Sequence, residues 1–317
     1  MKYNKLISKL LFGTILMLFT MTSCYEDYTE DYDVTIAYFS TQKPLRTVIA
    51  DRDMKIKVGV SLGGKRAVDV NDWAKFEIDL SLLTGTAFTL LPEHYYTLAN
   101  SNTFKVSNKN LAIADVEISF TDDFYADPNS VNSYYAIPFR VTESSLDSIS
   151  AGAFDPLGNV IIPAKNYSIV VIKYISTYHG TYYVRGKLDE LDNLGVVINT
   201  TNYSNSDLSR NLTRNIFTIS KNEIQRPGLA NFVLADNEAV KMTIVPNGNA
   251  DKVYPVTVET PPGCIALSEA SGTYYGNKEQ PEIALKYKFT KGGKYYSVEE
   301  TLILRQDPMK DLRFEEW

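Results

Sequence analysis

The feature that most limits what this chain can fold into is a clean two-residue alternation, repeated in one segment after another. Met54, Ile56, Val58, Val60 and Leu62 alternate with Lys55, Lys57, Gly59 and Ser61. Phe76, Ile78 and Leu80 alternate with Lys75, Glu77 and Asp79, and Val116, Ile118 and Phe120 with Asp115, Glu117 and Ser119. Successive strand side chains point to opposite faces, so each segment has one apolar and one wet face, as in antiparallel sheets covering a core. No segment of comparable length carries a helical stripe. Tyr167 to Ile175 differs, because Ile169, Val170, Val171 and Ile172 are consecutive. A strand apolar on both faces is covered on both sides, which places it centrally. Pro138, inside Tyr134 to Val141, implies an edge strand or a bulge, since proline has no N–H for a ladder.

A second set of alternations follows His179-Gly180. Val240, Met242 and Ile244 form one, Tyr254, Val256 and Val258 another, and Ile283, Leu285, Tyr287 and Phe289 a third. Lys291-Gly292-Gly293-Lys294 then signals a hairpin. Only Ser176-Thr177-Tyr178 separates the two sets, so the two bodies should sit close. The expected fold class is all-β, with a β-sandwich over 34–175 and a second antiparallel β-sandwich or β-barrel over 176–317. A length of 317 residues suits two domains of ordinary size.

The N-terminus sets the compartment. Lys2, Lys5 and Lys9 form a positive region, Leu10 to Met21 an apolar stretch, and Met21-Thr22-Ser23 leads into Cys24. That is a signal peptide over 1–23, too short for a stable membrane span. The cysteine that closes it resembles a bacterial lipobox, which implies acylation, as by palmitate, at Cys24. Several acyl chains hold a protein on a membrane far more firmly than one. The only other cysteine is Cys264, so an acylated Cys24 leaves no disulfide partner. Residues 24–33 form a tether with five acids and no base after the cysteine. Like charges extend such a linker. Acids there, Glu26 and Asp27 first, also resemble the surface-export signal of Bacteroidetes lipoproteins. The expected location is the outer membrane, lipid-anchored and facing outward.

The formal charge is −6, and removal of residues 1–23, with three lysines and no acid, leaves −9. Such a balance repels phosphate backbones, so nucleic acid is not an expected partner. Polyanionic glycans are disfavoured too, unless a local basic patch overcomes the net charge.

Residues 35–175 resemble the N-terminal domain of unknown function common in Bacteroidetes lipoproteins, often found before chitinase-like glycoside hydrolase domains. Ala37-Tyr38-Phe39, Arg46-Thr47-Val48 and Val60-Ser61-Leu62-Gly63-Gly64-Lys65-Arg66 carry the likeness. Leu91 to Leu98 and Ile137-Pro138-Phe139-Arg140-Val141-Thr142 follow in the same order. The resemblance implies an immunoglobulin-like β-sandwich. Residues 177–317 resemble the β-rich domain of unknown function that often follows it, through Gly180-Thr181-Tyr182-Tyr183 and Arg313-Phe314-Glu315-Glu316-Trp317. By analogy this pairing implies a surface glycan-binding lipoprotein of a polysaccharide uptake system.

Catalytic chemistry is sparse. His94 and His179 are the only histidines and neither has a second ligand at metal spacing, so no metal or other cofactor is expected. Cys264 has no nearby histidine to activate it. Glycosidases need two carboxylates about 5–10 Å apart, whereas adjacent Glu299 and Glu300 point to opposite faces of a strand. Glu300 falls on the apolar side, which implies an edge position or a partnered carboxylate. Asp122, Asp123, Asp127 and Asn129, or Asp189, Asp192 and Asn193, have oxygen ligands at calcium-like spacings that polar loops also produce by chance. Binding without catalysis is therefore expected, with a glycan as ligand. A structural or adhesive role toward proteins is the alternative, and a hydrolase using Glu300 the third reading. The 22 tyrosines include five Tyr-Tyr pairs, chiefly expected to pack. Loop aromatics are the better sugar platforms: Trp73, Tyr125 and Tyr203.

Overall fold

The computed structural model describes residues 32–52 and 54–317. Cys24, the signal peptide and most of the tether lie outside the described residues. The chain is all-β. Its first domain contains β1 (Ile36–Tyr38), β2 (Pro44–Ile49), β3 (Lys55–Gly63), β4 (Trp73–Ile78) and β5 (Thr89–Leu90). It continues with β6 (Tyr96–Leu98), β7 (Thr103–Lys105), β8 (Ile113–Phe120), a short helix α1 (Asp122–Ala126) and β9 (Tyr135–Ser144). Short strands β10 (Ser148–Ile149), β11 (Ala153–Phe154) and β12 (Val160–Ile162) precede β13 (Tyr167–Ile175).

Two layers form the sandwich. One runs β10-β1-β3-β8 with β6 on its far edge, and the other β4-β9-β13-β2, the short β7 bridging them. The parallel pairing of β2 with β13 beside an antiparallel β13–β9 pair matches the immunoglobulin-like arrangement. Alternating residues from both layers interdigitate: Val58, Val60 and Leu62 face Phe76, Phe139, Val170 and Ile172 across one core. Leu80, expected to continue the β4 alternation, instead starts a 3-10 turn capped by Asp79 and is exposed.

The doubly apolar β13 is central, between β9 and β2. Its second face, Ile169 and Val171, packs with Ala136, Leu45, Phe88 and Trp317. Pro138 is neither on an edge strand nor at a bulge, which corrects the expectation. It lies in β9 opposite Ile169 of β13, between the stretches that pair β5 (135–136) and β4 (139–144). Its carbonyl accepts from the Asp79 N–H at 3.0 Å, just past the end of β4, so its missing donor falls where no ladder needs one.

The second domain contains β14 (Gly180–Leu191), β15 (Val197–Asn202), β16 (Leu212–Thr218), β17 (Glu223–Pro227) and β18 (Ala239–Ile244). It ends with β19 (Val253–Glu259), β20 (Leu267–Tyr275), β21 (Glu282–Lys291) and β22 (Lys294–Leu304). Strands β14 and β16 to β22 pair in sequence order, and β22 pairs back onto β14, closing an eight-stranded up-and-down barrel. Gly292 and Gly293, at φ 58° and 75°, make the expected tight hairpin between β21 and β22. Strand β14 outruns β16, and β15 takes its free upper edge.

The domains are tied together as the short connection implies. Arg52 bridges Asp307 at 2.6 Å and donates to Thr177, and Lys221 bridges Asp51 at 2.7 Å. Ser176 Oγ donates to the Lys221 carbonyl. After α2 (Pro308–Asp311) the chain returns to the sandwich, where β23 (Glu315–Glu316) pairs with β2 and the Trp317 indole donates to the Ile169 carbonyl. The range 176–317 is thus not one body: its last residues complete the first domain, because the second face of β13 needs an apolar cover.

Candidate functional site

The outer face of the barrel is hollowed where β20, β21, β22 and β14 lie side by side. Register places Thr273, Ala284, Thr301 and Arg185 in one row across these strands. Small side chains at three of the four positions leave a floor, about 14 Å long at the usual strand spacing. A second row, Ser271, Lys286, Glu299, Lys187 and Asn202, walls one side. Tyr275 stands at the start of the opposite row. The resulting trough has a volume of about 620 Å³ and is lined mainly by polar groups.

Two glycines beneath it allow the shape. A Cβ at Gly186 would run into the Glu299 carbonyl, and one at Gly272 would stand 2.9 Å from Leu285 Cδ2. Glycine therefore lets β14 and β20 approach their neighbours closely where the sheet bends. Across the trough wall, Lys286 and Lys187 both reach Glu299, at 3.0 and 3.7 Å, and Lys187 also reaches Asp189 at 3.2 Å. A smaller hollow of about 230 Å³ lies further along the same face, lined by Tyr295, Tyr296, Asp192, Asn193 and Lys288. Tyr295 is exposed there.

The barrel interior is closed by a polar cluster under this face. Arg226 and Glu300 form an ion pair with both side chains fully buried. Glu300 Oε1 also accepts from the Tyr287 hydroxyl at 2.8 Å, and Oε2 from the Tyr203 hydroxyl at 3.0 Å. Arg226 Nη2 donates to the Ala230 carbonyl at 2.6 Å, and the Tyr287 oxygen accepts from the Ala230 N–H. Burial, with the Glu300 charge nearby, pushes both the Tyr203 and Tyr287 phenols well above their ordinary range. Glu300 is thus the partnered carboxylate of the sequence reading. Arg226, which has no marker in its own segment beyond alternation with apolar neighbours, is the partner that reading missed.

The three aromatic candidates do not come together. Trp73 opens β4, half-buried, with Lys75 Nζ 5.5 Å from its ring. Tyr125 is no surface platform: its segment coils into α1, which turns Phe124 and Tyr125 inward, and its ring is 3% exposed against Tyr174. Tyr203 leaves the end of β15 and turns into the barrel, where its hydroxyl serves Glu300, so its loop is not a free sugar platform either. Of the tyrosine pairs, 134–135 and 182–183 each bury one ring.

Within the acidic clusters, Asp127, Asp189 and Asp192 are engaged by the protein's own donors. Asp127 accepts from Tyr95, Tyr135 and the Asn129 N–H. Asp189 accepts from Thr200 and Lys187, while Asp192 caps its hairpin through the Leu194 and Val196 N–H groups. No group of three metal-ligating side chains occurs among the described residues. Cys264 is a free, half-buried thiol. His179 lies between the domains, its Nδ1 accepting from the Thr218 N–H at 3.3 Å.

A family model described as an N-terminal domain matches residues 28–148. No curated protein matches the chain. Among solved structures, a Bacteroides ovatus protein of unknown function aligns with a TM-score of 0.70 at 23% identity, covering 87% of this chain and 95% of its own. A multidomain B. ovatus protein including DUF1735 aligns at 11% identity over 89% of this chain and 99% of its own, with a TM-score of 0.40. Another B. ovatus protein of unknown function aligns at 13% identity over 88% and 93%, with a TM-score of 0.41. The first of these likenesses shows a shared fold.

Proposed function

We propose that this chain is a lipid-anchored surface protein whose barrel captures a glycan and passes it to an outer-membrane uptake complex. One observation carries the reading: the trough on the outer barrel face, with a flat floor of small residues, hydroxyl and amide groups along it, and Tyr275 at its side. Sugars need hydrogen-bonding groups for their hydroxyls and an apolar ring face for their C–H surfaces, and sites of this kind combine both. The signal peptide and lipobox-like Cys24 support display at the outer membrane, and incorporation of labelled palmitate, lost in Cys24→Ser, tests that part.

The binding test is calorimetry of the purified chain across a panel of polysaccharides and their oligosaccharides. Binding to at least one, abolished by Thr301→Trp, which fills the floor, supports the reading. Failure to bind any member removes it. Glu300 is sequestered with Arg226, and Glu299 projects to the other face among lysines.

A protein-binding role is favoured by a different feature. The hairpin of β11 and β12 presents Phe154, Leu157, Val160, Ile161 and Ile162 exposed together. Monomeric proteins rarely expose such contiguous apolar surface without a partner. A stoichiometric protein that co-purifies with the chain irrespective of sugar would support this second role.

A further inference from the structure

The charges along the trough select among glycans. Its cations are Arg185, Lys187 and Lys286. Its carboxylates are Glu299, shared by the two lysines, and Glu300, which faces inward to Arg226. Arg185 makes no hydrogen bond or ion pair with any described residue, although it is half-buried at the end of the Thr273-Ala284-Thr301 floor. Glu282, in the adjoining row, is taken by Lys278. A half-buried guanidinium without an acid has lost part of its hydration and recovered nothing for it. Its planar fork fits a two-oxygen anion better than any neutral hydroxyl.

We infer that the trough takes a glycan bearing an anionic group, a carboxylate or a sulfate ester, seated on the Arg185 guanidinium. The inference rests on the glycan reading above and narrows it to acidic sugars. The full sequence carries −6, and −9 without residues 1–23, which opposes densely charged polymers at long range. Screening confines that repulsion to about 10 Å at ordinary salt. A single acidic sugar in an otherwise neutral chain therefore meets the local cation more than the distant acids.

The test compares three oligosaccharides of one backbone, binding to the purified full-length chain: a uronate form, its carboxyl-reduced neutral counterpart, and a singly sulfated form. The acidic forms are expected to bind roughly 10- to 100-fold tighter than the neutral one, the usual value of a charge-assisted hydrogen-bonded contact. Whichever acidic form binds tighter names the group. Arg185→Gln should collapse the acidic-to-neutral ratio toward one, and Arg185→Lys should keep part of it, since the charge remains and the fork is lost. Lys109→Gln, an exposed change in the first domain, should keep the full ratio. Thermal melts confirm that each variant is folded. Equal binding of acidic and neutral forms, or a ratio that survives Arg185→Gln, overturns the inference and leaves the glycan reading standing. Binding of none of the three, together with an empty polysaccharide panel, removes both.

Discussion

Arg226 Nη1 donates to Glu300 Oε1 across 2.8 Å in the middle of the barrel, with neither side chain open to solvent. Removing one partner leaves the other charge buried and uncompensated. Arg226→Met or Glu300→Gln alone should therefore lower the unfolding free energy by about 3–5 kcal/mol. The double variant Arg226→Met with Glu300→Leu should lose much less, because no charge is left to desolvate. Urea unfolding of the single and double variants measures both. Equal losses in all three would show that the pair acts through packing alone.

Tyr203 supplies the only hydrogen bond to Glu300 Oε2 among the described residues. Tyr203→Phe should cost about 1–3 kcal/mol, the penalty for a buried charged acceptor left without a donor. Tyr203→Ala should cost more and free β15, whose six residues are all exposed. Hydrogen exchange at 197–202 should accelerate in the alanine variant and change little in phenylalanine.

His179 makes stability depend on pH. Burial, with the Lys173 charge adding repulsion, holds its imidazole below the ordinary 6.5, and Nδ1 is used as an acceptor. Below pH 6.5 the unfolded chain takes up a proton that the folded chain refuses. The unfolded state then binds more protons, and stability falls as pH drops. The melting temperature should be nearly level above about pH 7 and decline as pH falls below about 6.5. His179→Gln should flatten that decline. Asp79 and Asp307, held below 3.8 by hydrogen bonds and by their arginine partners, add their losses only at lower pH.

Trp317 caps the second face of β13. Its ring lies edge-on to Phe88 at 4.6 Å, and Lys43 sits 5.1 Å from its centroid. Trp317→Ala should destabilise the first domain by about 2–4 kcal/mol, toward the lower end for buried aromatics because the ring is only half-covered. With Trp73 the only other tryptophan, emission spectra of Trp73→Phe report the Trp317 environment directly. Red-shifted emission in that variant under native conditions would contradict the docked position.

The strands were legible because burial on one face imposes a period of two, and β3, β8, β19 and β21 follow the alternation residue by residue. The odd position of Glu300 in an apolar series was legible for the same reason. What the alternation cannot carry is which strands pair. The row that joins Thr273, Ala284, Thr301 and Arg185 depends on three registers, two within neighbouring hairpins and one, β14 on β22, between segments far apart in sequence, so none of its members stood out. Tyr125 and Tyr203 sit in polar loops, and polarity of neighbours said nothing of where each ring turns. Pro138 misled because a local rule about ladders was satisfied by a gap between two short partners.

The return of residues 313–317 to the sandwich has a consequence in time. Ribosomes add roughly 5–20 residues per second, so the indole that roofs Ile169 and Val171 emerges on the order of ten seconds after β13 itself. Through that interval the immunoglobulin-like half has a bare greasy flank and must be either shielded or kept unravelled.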